Sequence, residues 1–231
     1  MHFPNLNHSL LALTLVVTSI STTVLTACFP ATSQHQNHQE NITNTSDKQP
    51  MHHGGMNHNM MDLGTADANY DLRFIDAMIP HHQGAIEMAK AAQQKSKRAE
   101  IKKLAEEIIK AQNQEITQMK NWRQTWYPKA SNKPMAYDAQ QQKTIEMSSQ
   151  QMQAMTMNMD LGAADTEFDL RFINAMIPHH EAAVIMGKDA LQKSQRGEIK
   201  KLAQGIIKAQ NTEINQMQQW RKACHRSKCK R

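Results

Sequence analysis

The stretch "IDAMIPHHQG" at 75–84 and its near copy "INAMIPHHEA" at 173–182 decide how this chain is read. Outward from the two histidine pairs, 62–126 aligns without a gap on 160–224 at an offset of 98, and 42 of the 65 positions are identical. A duplication of that quality dominates the architecture. Each copy reads as two helices. The first runs through "YDLRFIDAMIPHHQGAIEMAKAAQQ", with Asp67 or Asp165 placed to cap it, and a break follows at "KSKRAE" or "KSQRGE". The second sets Ile101, Leu104, Ile108, Ala111 and Trp122 at helical spacing. No segment alternates with a period of two, and Val and Thr are scarce in the repeats, so strands are not expected. Two helices cannot bury their own faces, whereas two hairpins together can. The expectation is therefore an all-α four-helix bundle formed from the duplicated helical hairpin, with an extra linker helix.

Around the repeats, the chain divides by composition. Leu10 to Leu25 is an uncharged apolar run, too short and too punctuated for a spanning helix, so 1–27 reads as a secretory signal peptide. Its end, "LTAC" at 25–28, resembles the lipobox of bacterial lipoproteins, which would make Cys28 a lipid anchor. The leading "MHFPNLNH" lacks Lys or Arg, which keeps cleavage to a soluble periplasmic or extracellular protein open beside a membrane-anchored lipoprotein. Residues 28–61 form a polar leader ending in a Met/His-rich stretch, expected to be disordered. Repeat 1 spans 62–127. A linker at 128–159 follows, punctuated by Pro128 and Pro134 and then expected to be helical from 138 to 159; repeat 2 spans 160–223. The basic tail at 224–231 holds Cys224 and Cys229, to be read as a local disulfide in an oxidising compartment or, through "CHRSKC", as a soft-metal site. The formal charge of +6 is carried by Arg221, Lys222, Arg226, Lys228, Lys230 and Arg231. The rest of the chain is neutral by difference, so the electrostatic footprint of a nucleic-acid partner is missing.

On the first helix, His81 and His82 share a face with Phe74, Met78, Ala85 and Met88, and that face is the apolar one. Both imidazoles are therefore expected to point at the partner helix. Pro80 falls on the opposite side and frees the carbonyl of Asp76, as Pro178 frees that of Asn174, which should kink or widen the helix beside the histidines. On the second helix Gln112, Glu115 and Met119 interrupt an apolar stripe, and Gln210, Glu213 and Met217 repeat them. A buried carboxylate needs a partner. His81 or His82 is the candidate for Glu115.

Met reaches 17 residues and His 12, while aromatics stay at 5%: soft thioethers and imidazoles stand where rings are usual. The pattern M-x-x-H-H-x-x-x-x-x-M occurs in both copies, and Met51, His52, His53, Met56, His58, Met60 and Met61 precede the first. The linker adds Met155, Met157 and Met159. Thioether sulfur has no proton to lose and suits Cu(I) or Ag(I), and imidazole accepts copper as Cu(I) or Cu(II). Hard cations would want an oxygen-rich site. Zinc could use the histidines, yet zinc chemistry does not explain nine Met residues in the segments 51–61 and 147–159. The plainer alternatives are a structural His–Glu hydrogen bond, Met as adaptable filler and a flexible polar leader.

With "DLRFIDAMIPHHQGAIEMA" and "IIKAQNQEITQMKNW", the chain resembles a bacterial periplasmic family of ferritin-like helical domains long labelled as of unknown function. The resemblance covers both repeats. It implies ferritin-like four-helix bundles and binding of Cu(I) or Ag(I) for metal resistance. By motif, the implied ligands are Met78, His81, His82, Met88 and Met119, with Met176, His179, His180, Met186 and Met217. Glu115 and Glu213 stand beside them as candidates from the stripe analysis. Di-iron chemistry is not implied, because neither copy offers carboxylates from several helices with Glu-x-x-His spacing; Glu87, for instance, becomes Ile185. No nucleophile–base arrangement or phosphate loop occurs, so an enzyme is not expected. The leading reading is an exported copper-binding protein that buffers the envelope or passes metal to an efflux or sensor protein. The rivals are a copper-dependent envelope oxidoreductase and a structural helical lipoprotein.

Overall fold

The structure is a computed structural model and describes residues 61–223. Helix α1 (Tyr70–Lys95) begins where Asp67 turns the chain: its Oδ1 accepts the Asn69 N–H at 2.8 Å and its carbonyl accepts the Tyr70 N–H at 3.1 Å. Asp165 repeats this ahead of helix α4 (Phe168–Lys193), accepting the Glu167 N–H at 2.9 Å. Neither aspartate is the cap that the spacing predicted. Asn69 and Glu167 hold the N-cap positions without a side-chain cap bond, and the aspartates stabilise the turn before them. Each first helix ends at a serine whose Oγ accepts an N–H two residues on, at 3.1 Å in both Ser96–Arg98 and Ser194–Arg196. There the chain reverses into α2 (Ala99–Trp126) and α5 (Gly197–Ala223).

The two hairpins meet through α1 and α4, which run antiparallel. Lys193 Nζ donates to the Gly64 carbonyl at the head of repeat 1, and Lys95 Nζ to the Gly162 carbonyl at the head of repeat 2, both at 2.7 Å. The two bonds are equivalent under the repeat offset, so the pairing has local two-fold character. Phe74, Ile75, Ile101 and Ile108, with Phe172, Ile173, Ile199 and Ile206, are fully buried. Each such side chain contributes about 1.5–3 kcal/mol on leaving water. The four long helices thus bear out the expected bundle of duplicated hairpins.

Two expectations fail in the linker. Residues 135–146 are not helical: β1 (Met135–Asp138) pairs antiparallel with β2 (Lys143–Glu146), Met135 opposite Glu146. Asp138 Oδ1 forms the turn by accepting the N–H groups of Gln140 and Gln141 at 2.9 and 3.0 Å, and Gln142 takes a left-handed φ of 50°. Strands of four residues are too short to show a period. The helix that remains, α3 (Ser149–Thr156), starts at a capping box between Ser148 and Gln151 and stops where Met157 turns left-handed at φ 45°.

Pro80 is a further correction, since it is buried rather than set opposite the core. α1 packs on α2, α4, α3 and β1 and is covered nearly all round, and it continues through Pro80 without interruption, as α4 does through Pro178. Among the described residues no helix is long and apolar enough to cross a membrane. The signal segment, Cys28, the leader from Met51 to Met60, and Cys224 and Cys229 lie outside the described residues.

Candidate metal centre

The antiparallel crossing of α1 and α4 brings the two histidine pairs into one buried cluster. The rings of His81 and His179 lie 3.8 Å apart between centroids, tilted by 49°. His82 and His180 follow on each side, their ring centroids 6.4 and 6.3 Å from those neighbours. None of the four rings is more than 1% exposed. The outer two reach the second helices: His82 Nε2 stands 2.7 Å from Glu115 Oε2, and His180 Nε2 stands 2.6 Å from Glu213 Oε2. The second contact is aligned as a hydrogen bond; the first is close but off the bonding direction. The partner expected for Glu115 is therefore His82 rather than His81.

The inner pair is left poorly satisfied. Both ring nitrogens of His81, and Nδ1 of His82, His179 and His180, have no hydrogen-bond partner among the described residues. His179 Nε2 approaches the Thr156 carbonyl at 3.3 Å. Desolvation, reinforced by the neighbouring imidazoles, holds His179 down to about 3 and His81 well below the usual imidazole range. Both are neutral at ordinary pH. A neutral imidazole keeps one nitrogen lone pair, which is what a metal takes.

The thioethers flank this cluster in a crossed arrangement. Met78 and Met119 of repeat 1 share a core with Met186 of repeat 2, while Met176 and Met217 of repeat 2 share theirs with Met88 of repeat 1. Each core is one end of the antiparallel bundle and so takes the first Met of one motif with the last Met of the other, which spacing along one helix could not reveal. All six are at most 1% exposed. Gln112 and Gln210, buried on α2 and α5, keep amide oxygens without a hydrogen-bond partner. Met61 and Met155 pack in the first of these cores. The structure does not bring every candidate inward: Met157 is half-buried at the end of α3 and Met159 is 56% exposed.

Among the described residues, no three His, Cys, Asp or Glu side chains converge in the manner of a nitrogen–oxygen metal site. The candidate donors here are imidazole and thioether. That chemistry favours a soft ion over zinc or a hard cation.

Some supporting residues were not singled out from sequence. Gly84 lets α3 approach the histidines, since a Cβ there would fall 1.7 Å from the Thr156 carbonyl. Asp76 accepts from Arg123 at both oxygens and from the Met135 N–H at 2.8 Å, tying the linker to the bundle. Burial pushes the Asp76 carboxyl up and Arg123 opposes the shift. Arg73, fully buried, donates to the carbonyls of Leu63 and Thr65 at 2.6 and 2.7 Å. Two of these positions carried a signal: Gly84 and Asp76 are among the few sites near the histidines where the repeats differ, as Ala182 and Asn174.

The chain is similar to CopM, solved in a Cu(II)-bound form: 38% identity, a TM-score of 0.52, 66% of this chain and 97% of that one. The Cu(I)-bound form of CopM matches at 39% identity and a TM-score of 0.50, over 66% of this chain and 96% of that one. CopM has also been solved with Ag bound. A DUF305 fragment from Deinococcus radiodurans shares the fold at 22% identity and a TM-score of 0.50, over 69% of this chain and 99% of that one. Uncharacterized protein L153 of Acanthamoeba polyphaga mimivirus is 43% identical over 49 residues, 21% of this chain; the chain spans about a third (32%) of that relative's length. The family described as "Domain of unknown function (DUF305)" matches residues 21–123 and again 71–221, so the chain belongs to the DUF305 family.

Proposed function

We propose that this is an exported copper-binding protein that captures Cu(I), with Ag(I) and Cu(II) as related cargo, at the Met/His sites of the α1–α4 seam. Its role is periplasmic metal buffering and transfer, and through them copper resistance. The observation that carries this reading is the contact between His81 and His179, two buried neutral imidazoles whose lone pairs are left without donors. A buried polar atom without a partner costs about 1–3 kcal/mol, and a bound metal ion would remove that cost. The six buried thioethers on either side supply soft donors that a purely structural His–Glu pair would not need. The relation to CopM, solved with Cu(I), Cu(II) and Ag, supports the same class of ion.

Thioether and imidazole ligands exchange readily, so the protein binds and hands on metal without turning over a substrate. An efflux or sensor protein of the envelope is the recipient, and a lipid on Cys28 would keep the bundle at the membrane. The test is a titration of the purified chain with Cu(I) against a chromophoric competitor. Binding tighter than micromolar is expected, with a rise in thermal stability on adding Ag(I); at one hundred times Kd the gain would be about 2.7 kcal/mol. Absence of both would refute the reading.

A further inference from the structure

Away from the histidines, the linker builds a second place for soft chemistry. β1, the β2–α3 junction and α3 close over the flank of α1, leaving a cavity of about 180 Å³ bordered by Met135, Met147 and Met155, with Asp62 and Gln151 also contributing. Met147 and Met155 are 8% and 5% exposed and Met135 is half-buried. A lone Met in a core is usually filler. Here three thioethers from three separate elements border a space they do not fill.

Each is held by its backbone. The Met135 N–H donates to Asp76 Oδ2 at 2.8 Å, and the Met147 N–H donates to the Pro134 carbonyl at 2.7 Å. Met155 rides on α3, which the Ser148–Gln151 box fixes at one end and the left-handed Met157 at the other. Asp62 adds a carboxylate, itself positioned by the Gly64 N–H on Oδ1 at 2.8 Å. Neutral sulfur donors beside one negative charge match a monovalent, polarisable cation. They offer little to a hard or strongly hydrated one.

We propose that this cavity is a metal site distinct from the histidine cluster, binding one Cu(I) or Ag(I) through the sulfurs of Met135, Met147 and Met155. It lies next to the central site along the chain. The residue after Met155 is Thr156, whose carbonyl faces His179, so the two sites share α3. The proposal rests on the soft-metal reading above but on different residues, and the experiment separates the two. A thioether has no proton to release on binding, whereas imidazole ligands compete with protons. Occupancy of the cavity is therefore independent of pH across the range where histidine titrates.

The first arm uses the unmodified full chain. It is treated with peroxide with and without Ag(I), and each Met is followed by mass spectrometry, with exposed Met159 as the internal control. Silver is expected to slow oxidation of Met135, Met147 and Met155 at least fivefold at pH 5 and at pH 7.5 while leaving Met159 unchanged; equal oxidation with and without silver would overturn the site. The second arm counts bound Ag(I) in Met135→Leu/Met147→Leu/Met155→Leu and in His81→Gln/His179→Gln. The triple variant should lose one equivalent, and the histidine variant should keep that equivalent. Unchanged stoichiometry in the triple variant sinks the cavity site and leaves the central one standing. A histidine variant that binds as wild type sinks the central site alone, and a wild-type chain that takes up no silver sinks both.

Discussion

One end of the bundle carries the linker and the other does not, although each end draws on both hairpins. At the linker end, the core gathers Met78, Met119, Met147, Met155 and Met186, together with Ile199 and Ile206 of α5. At the other end, it holds Met88, Met176 and Met217, together with Ile101 and Ile108 of α2. The substitutions between copies follow this difference. Gly84 makes room for the Thr156 carbonyl, and Ala182 stands where no α3 docks. Gly64 at φ 79° lies under the Tyr137 ring, 2.3 Å from where a Cβ would sit, while Gly162 at φ 69° meets only Arg171, no nearer than 3.7 Å. Arg73 is fully buried and also reaches Thr144 Oγ1 of β2 at 2.6 Å, whereas Arg171 is half-buried. What the copies share is the set of candidate donors, His, Met and Glu. What they do not share is the fitting for the linker.

The largest effect expected bears on the seam that both halves contribute to. His81 and His179 are held below their unfolded value near 6.5, His179 to about 3, so the unfolded chain takes up protons first as pH falls. Stability of the metal-free protein is thus full above about pH 6.5 and is lost on acidification, for His179 towards about 3, at up to ~1.4 kcal/mol per pH unit. Urea unfolding at a series of pH values measures this, and His81→Gln and His179→Gln should each flatten the slope. Equal slopes in wild type and variants would separate the histidines from the acid response.

The next effect separates the halves. Asp76→Asn makes repeat 1 resemble repeat 2 and strips Arg123 of its carboxylate. The expected loss is about 2–3 kcal/mol, less than for a fully buried pair because Arg123 is partly exposed. Asn174→Asp, the reverse change in the half without a linker, should alter stability by less than about 1 kcal/mol. Similar losses from both would mean that the linker anchor does not distinguish the copies. Gly84→Ala should follow, at about 1–3 kcal/mol, since the added methyl meets backbone rather than a flexible side chain. Ala182→Gly should cost about 1 kcal/mol through chain entropy alone. Thermal melts, at about 2–4 °C per kcal/mol for a chain of this size, resolve the pair.

Much of the fold was legible because the hairpin is duplicated. Helical periodicity from Ile101 to Trp122, the break at Ser96 and the face shared by His81, His82 and Met78 all survive in the structure. The reading failed where short-range signals govern. β1 and β2 are four residues each, and their pairing depends on the Asp138 turn and on Asp76, which is 59 positions from Met135. Placing Pro80 outside assumed one buried face on a helix that is covered by four neighbours. The crossing of Met88 and Met186 lay beyond a one-helix wheel, because it is a property of the antiparallel seam. The difference between the copies at Asp76 and Gly84 was visible all along, and it marks the half that the linker covers.

The smallest effect on stability follows from that crossing. Met119→Leu/Met186→Leu removes thioethers from one half and Met217→Leu/Met88→Leu from the other; each substitution nearly conserves volume and should cost less than about 1.5 kcal/mol. Each pair should nevertheless weaken Cu(I) binding in the competitor titration. A variant pair drawn from a single motif, Met78→Leu/Met88→Leu, should disturb both halves at once. Identical behaviour of all three would erase the crossed assignment.

Anomalous diffraction from a crystal of the full chain soaked in Cu(I) tests the account most directly. Density is expected inside the α1–α4 seam, within bonding distance of imidazole nitrogens from the His81–His179 cluster and of a thioether sulfur flanking it. Copper found only on exposed sulfur such as Met159, with the four imidazoles unligated, would contradict it.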